Sequence, residues 1–150
     1  MWFLPRSRIL SGVTEYSYRS GVSALIADDD DQNARLLVRI LERGGYETID
    51  FTTESAKVLP MCKESNPDLL LLDVSMPSPN GFEILELLEE TEGTDPVVVI
   101  LTGHDHPSIE GRAMELGAAA VVGKTTSMTE LLERLDKVLV EAGRIPETGA

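Results

Sequence analysis

The chain has 150 residues, which suits one domain, and its 42% hydrophobic and 26% charged content is that of an ordinary soluble globular fold. A net charge of −13 argues against a nucleic-acid surface, which needs a basic patch, and no stretch approaches the roughly 18–20 apolar residues of a membrane span. Cys62 is the only cysteine, so no internal disulfide is possible, and it reads as a small buried hydrophobe.

Residues 1–20, MWFLPRSRILSGVTEYSYRS, differ from the rest. They hold Trp2, Phe3, Tyr16 and Tyr18, four of the chain's seven aromatics, with three arginines and one acid. Pro5, Arg6 and Arg8 interrupt any signal-peptide core. The segment reads as a poorly ordered N-terminal extension, or alternatively as a docking segment for a partner or a membrane surface.

From there short apolar runs alternate with helical patterns over residues 21–142. Val22–Ala27 is a first strand ending in acids. Leu36, Leu37, Ile40 and Leu41 then fall on one helix face, and Gly44 and Gly45 stop that helix. Asp30 or Asp31 suits its N-cap. Tyr46–Phe51 alternates as an outer strand. Thr53–Ser65 reads as a weaker helix with Pro60 inside or near its end. Asp68–Val74 is apolar without alternation, so both of its faces are covered. The next helix starts at Gly81, with Phe82, Leu85 and Leu88 on one stripe. Pro96–Gly103 is a second buried strand, and a helix with Ile109, Ala113 and Leu116 inward follows it. Ala118–Lys124 is a third buried strand. The last helix opens on a Ser127/Glu130 capping pair and carries a stripe of Leu131, Leu135, Val138 and Leu139. Residues 143–150 read as a short, frayed tail.

Five strands alternating with five helices predict an α/β fold, an open parallel sheet with helices on both faces. In such sheets ligands sit beyond the carboxyl ends of the strands. There the chain offers Asp28 and Asp29, Asp73, Thr102 with Gly103, and Lys124. Each alone reads as a cap or a turn residue, but the set converges on one rim. Two unit charges about 4 Å apart repel by roughly 4 kcal/mol at an effective dielectric of 20. Clustered acids therefore protonate or bind a cation, and oxygen ligands favour a hard ion such as Mg²⁺ (or Mn²⁺). A hard cation beside an ionised Asp, with Lys and Thr near, is equipment for stabilising a transferring phosphoryl group. Asp73, ending the central run, is the candidate nucleophile. The chain has no nucleotide-binding G-x-x-x-x-G-K-[ST] loop. His104 and His106 read as solvated loop residues.

The pieces LIADD, LLLLDVSMPSPNG, VVVILTG and GAAAVVGK, in this order, resemble the receiver domain of bacterial two-component response regulators, the CheY-like (flavodoxin-like) fold. The resemblance spans about residues 23–140 and implies a doubly wound five-stranded sheet in the order 2-1-3-4-5. It implies that Asp73 accepts a phosphoryl group from a phosphohistidine on a sensor histidine kinase or His phosphotransferase. Asp29, Asp73 and the backbone carbonyl of Ser75 would bind Mg²⁺, and Asp28 would act mostly through bound water. Lys124 would pair with the phosphoryl oxygens, Thr102 would report phosphorylation, and Gly103 would leave room. Met76, Pro77 and Gly81 would shape the loop, Gly81 by permitting a strained dihedral. Ser75 and His104 would tune the phosphoryl lifetime.

Two positions depart from the family pattern. Thr125 stands where Pro usually follows the Lys, so the preceding bond is either trans or strained. Val121 replaces the usual switch aromatic, which puts Thr-coupled output in question. Only seven residues follow Gly143. The expectation is a cytoplasmic single-domain response regulator, with at most self-catalysed phosphorylation and dephosphorylation. Its output would be binding of a downstream protein or phosphorelay. Two alternatives stay open: a pseudo-receiver used only for protein binding, and a Mg²⁺-dependent aspartyl phosphatase of the haloacid-dehalogenase type, in which Asp28 of Asp-x-Asp would be the nucleophile.

Overall fold

The computed structural model describes residues 18–103 and 107–146. Five parallel strands, β1 (Ser23–Ala27), β2 (Thr48–Thr52), β3 (Leu69–Asp73), β4 (Val97–Thr102) and β5 (Ala120–Gly123), form one sheet in the order β2-β1-β3-β4-β5. This is the order the resemblance implied. The strands alternate with α1 (Asp31–Arg43), α2 (Val58–Ser65), α3 (Gly81–Glu89), α4 (Pro107–Glu115) and α5 (Met128–Glu141).

Side chains two apart on a strand share a face, so each central strand supplies two cores. Ala24, Ile26, Leu69, Leu71, Val99 and Leu101 pack with Ala34 and Leu41 of α1 and Leu135 and Leu139 of α5. Leu25, Leu70, Leu72, Val98 and Ile100 pack with Val58 and Cys62 of α2, Ile84 and Leu85 of α3, and Ala113 of α4. Every residue of β3 is buried, as its unbroken apolar run predicts, and the edge strand β2 alternates exposed and partly buried.

Local signals explain the helix ends. The Asp30 carboxylate caps α1, accepting from the N–H groups of Gln32 and Asn33 at 2.9 and 3.3 Å. The Gly44 N–H bonds to the Ile40 carbonyl, and Gly45 turns the chain at φ +100°. Ser127 Oγ accepts from the Glu130 N–H at 3.1 Å, one half of the expected reciprocal pair. Asn80 and Glu83 form a full capping box on α3. The N-x-x-E spacing just before an apolar run is the local signal for it.

Five expectations are corrected. Leu36 is 48% exposed rather than inward, because α1 turns Ala34, Leu37 and Leu41 towards the sheet. The helix read over Thr53–Ser65 starts later: a 3-10 turn at Ser55–Lys57 precedes α2, and Pro60 lies inside α2 as expected, in its first turn, where its missing N–H has no intrahelical role. In α4 Ala113 is buried but Ile109 is only half-buried, whereas Leu116, just past the helix end, is half-buried and packs against the second core as expected. The last described residues are not frayed: Ile145 is 6% exposed in the core, and Arg144 donates to the carbonyls of Asp68 and Asp95.

The start of the chain is the fifth. Tyr18 and Arg19 belong to the domain rather than to an extension. Arg19 is 2% exposed and donates to the Asp136 carboxylate on α5 at 2.9 and 2.6 Å and to the Gly44 carbonyl after α1 at 2.8 Å. Tyr18 also donates to Asp136. Residues 1–17 lie outside the described residues.

Candidate functional site

Four strands deliver the site. Asp28 follows β1, Asp73 ends β3, Thr102 ends β4 and Lys124 follows β5. Parallel pairing makes these ends neighbours: Asp73 stands opposite Leu101, Thr102 opposite Gly123, and the Lys124 N–H bonds to the Thr102 carbonyl at 2.8 Å. Asp28 and Asp73 are each 1% exposed, and Thr102 is 3% exposed. Asp29 is exposed at the mouth. One carboxylate oxygen from each of Asp28, Asp29 and Asp73 lies within 4.8 Å of the others.

The Lys124 ammonium lies 3.1 Å from Asp73 Oδ2 and 3.4 Å from Asp28 Oδ2. The other oxygens accept from the backbone: Asp73 Oδ1 from the Ser75 N–H and Asp28 Oδ1 from the Asp30 N–H, each at 2.9 Å. Asp28 Oδ2 has only the ion pair and no hydrogen bond. Burial, with repulsion from Asp73, raises the Asp28 pKa against the opposing pull of the Asp30 N–H and Lys124. Burial works against the Lys124 ammonium, but its hydrogen bond and attraction to Asp73, and then to Asp28, raise its pKa overall. Three carboxylates facing one ammonium leave a negative excess. That excess, the orphaned buried oxygen and the all-oxygen donor set fit a hard divalent cation.

The loop after Asp73 is shaped by room rather than by strain. Gly81 does not adopt a positive φ, contrary to the expected strained dihedral. A Cβ there would lie 2.8 Å from Val74 Cα and 3.1 Å from the Asp73 carbonyl oxygen, so glycine is required by close approach. Met76 is buried in the second core, and Ser75 and Pro77 are exposed. Among the described residues the cis bond is Ser78–Pro79, and Lys124–Thr125 is trans.

A Cβ on Gly103 would meet nothing within 4 Å. Val121 is half-buried against the second core, and its carbonyl accepts from Arg134 of α5 at 3.2 Å. His104 and His106 lie outside the described residues. Sequence reasoning missed the backbone donors of Asp30 and Ser75, which every residue type except proline supplies.

The chain matches the family described as the response regulator receiver domain over residues 24–136. It is 30% identical over 121 residues to the polar-differentiation response regulator DivK of Brucella ovis, covering 80% of this chain and 98% of DivK. A putative transcriptional regulator of Pseudomonas aeruginosa is 31% identical over 130 residues, covering 86% of this chain and 62% of that protein. Among solved structures, the signal receiver domain of a DNA-binding response regulator (merR) from Colwellia psychrerythraea superposes with a TM-score of 0.72 at 29% identity, covering 80% of this chain and 98% of that one. The chemotaxis protein CheY4 of Vibrio cholerae, at 22% identity, TM-score 0.72 and coverage of 79% and 98%, shares the fold.

Proposed function

As the chain belongs to the response regulator receiver domain family of two-component signalling, we propose that Asp73 is its phosphoacceptor. The carrying observation is the buried Asp73 carboxylate facing the Lys124 ammonium at 3.1 Å, within a nest of three acids. In the proposed step an Asp73 oxygen attacks the phosphorus of a phosphohistidine. The new O–P bond forms an acyl phosphate while the N–P bond breaks, and the imidazole of a sensor histidine kinase or His phosphotransferase leaves.

Asp28, Asp29, Asp73 and the Ser75 carbonyl would hold Mg²⁺ or Mn²⁺, which when bound supplies neutralisation of phosphoryl oxygens. Lys124 shifts from the carboxylate to a phosphoryl oxygen as charge moves there. The Thr102 hydroxyl and its neighbouring N–H groups bond the rest, and Gly103 leaves the approach open. Ser75 and His104, each two residues beyond a site residue (Asp73 and Thr102), tune the phosphoryl lifetime. The output is phosphorylation-dependent binding of a downstream protein or onward phosphoryl transfer, in the cytoplasm. Among the described residues no helix is long and apolar enough to cross a membrane.

The haloacid-dehalogenase reading needs the Asp30 carboxylate beside Asp28, whereas that carboxylate caps α1. Val121, which has no ring to rotate, favours a second reading in which the domain binds its partner without a Thr102 switch. Incubation with Mg²⁺ and a small acyl phosphate tests the main reading. The wild type should be labelled and Asp73→Asn should not; equal labelling of both would overturn the assignment. Amide shifts at Thr102 on phosphorylation separate the two output readings.

A further inference from the structure

A cavity of about 700 Å³ lies at the opposite edge of the sheet from Asp73, where β3 and β4 begin. The chain between α3 and β4, the end of α4 and Arg144 line it. Its volume is that of a small-molecule site. We propose that this basal groove binds a linear polyamine, with ammonium groups on Glu89, Glu92 and Asp95 and the methylene chain on Leu88 and Leu116.

Three observations carry the proposal. First, the carboxylates of Glu89, Glu92 and Asp95 have no ion-pair partner among the described residues, Arg144 reaching only the backbone carbonyl of Asp95. The fourth acid of the groove, Asp68, is already met by Arg144 and by the Ser23 N–H. The Glu89 carboxylate lies against Gly117, where a Cβ would come 3.5 Å from Oε2.

Second, Thr94 lines the groove at 6% exposure, and its buried hydroxyl has no hydrogen-bond partner. Buried polar groups are nearly always satisfied, so this hydroxyl calls for a ligand donor or acceptor.

Third, spacing selects the ligand. Among the described residues, the three acids close enough to share one ion are Asp28, Asp29 and Asp73. Glu89, Glu92 and Asp95 do not form such a three-acid group. A chain that carries its charges at intervals along an apolar stem matches separated carboxylates over an apolar wall, whereas one small metal ion does not.

The test is a titration of the full chain, ¹⁵N-labelled, with the triamine spermidine in low salt and EDTA. Saturable amide shifts are expected from residue 88 to residue 95 and at Gly117. Affinity should fall about tenfold in the Glu89→Gln/Glu92→Gln double variant, the scale of two exposed ion pairs. It should also fall in Thr94→Val, which keeps the side-chain shape. Glu133→Gln/Glu141→Gln removes the same charge from the exposed side of α5 and should bind as the wild type does. The proposal is overturned if the shifts do not saturate, or if they centre on residues 28, 29 and 73. It is also overturned if the α5 control weakens binding as much as the groove variant, or if the groove variants bind like the wild type.

Discussion

Lys124 Nζ lies 3.1 Å from Asp73 Oδ2 across 51 positions of sequence, and the same ammonium reaches Asp28 Oδ2 at 3.4 Å. One cation thus offsets two carboxylates that are almost wholly buried. Breaking a buried pair leaves an uncompensated charge and costs on the order of 3 kcal/mol. Lys124→Met should therefore lower the melting temperature in EDTA. Added Mg²⁺ should raise the variant's melting temperature by more than the wild type's, since a cation then replaces the ammonium. Labelling by a small phosphodonor should fall at least about tenfold, because the transition state then lacks one charge-assisted hydrogen bond. Thermal melts with and without Mg²⁺, beside a labelling time course, read both effects.

Asp28 is held against its charge. Its folded pKa is raised, so the native state binds a proton more tightly than the unfolded chain does. Between the ordinary value of 3.8 and the raised folded value, the native state carries more protons. Stability relative to neutral pH therefore rises as pH falls through that window, and at neutral pH the burial cost is present in full. Asp28→Asn should melt higher than the wild type at pH 7 in EDTA. That difference should shrink as pH falls towards 4. A constant difference across pH 4–7 would contradict this account.

Gly81 is fixed by backbone atoms, so relief through side-chain movement is not available. The Cβ of Gly81→Ala would meet Val74 Cα at 2.8 Å and the Asp73 carbonyl oxygen at 3.1 Å. We expect a stability loss of about 1–3 kcal/mol, the range for overpacking. Slower phosphodonor labelling should accompany it, because the clash displaces the turn that carries Asp73 and Ser75. Urea unfolding and initial labelling rates check the two together.

Arg19 ties the start of β1 to α1 and α5 through Asp136 and the Gly44 carbonyl. Arg19→Met should cost about 2–4 kcal/mol in urea unfolding, below the full figure for a buried pair because the Asp136 side chain is 22% exposed. Adding Asp136→Asn to Arg19→Met should recover part of the loss, since no carboxylate is then left unpaired. Removing residues 1–17 should leave the clamp's contribution intact, whereas removing residues 1–20 should reproduce the Arg19→Met deficit.

The strands and most helices were legible because burial on two faces leaves a plain mark. The run Leu69–Leu72 has no polar interruption, and Asp73 ends it. The rim residues were legible because a parallel sheet sends every strand's carboxyl end to one edge, so the residue closing each apolar run is a candidate. A capping Asp at 30 or 31 followed from local chemistry alone, and packing placed the cap at Asp30. Leu36 was misread because i, i+1 spacing cannot say which edge of an apolar stripe faces the sheet. Gly81 was misread because sequence shows the absence of a Cβ but not whether torsion or space demands it.

Amphipathic periods, caps and strand-ending acids thus determined the architecture and the set of residues at its carboxyl edge, since those features act over a few neighbouring positions. Packing alone decided which Lys124 and Asp73 atoms meet, which Asp28 oxygen is left without a hydrogen bond, that Arg19 and Ile145 belong to the folded body, and that Thr94 closes a groove at the far edge. These are contacts between segments tens of residues apart. Their energies depend on distance and exclusion of water, which no local pattern encodes.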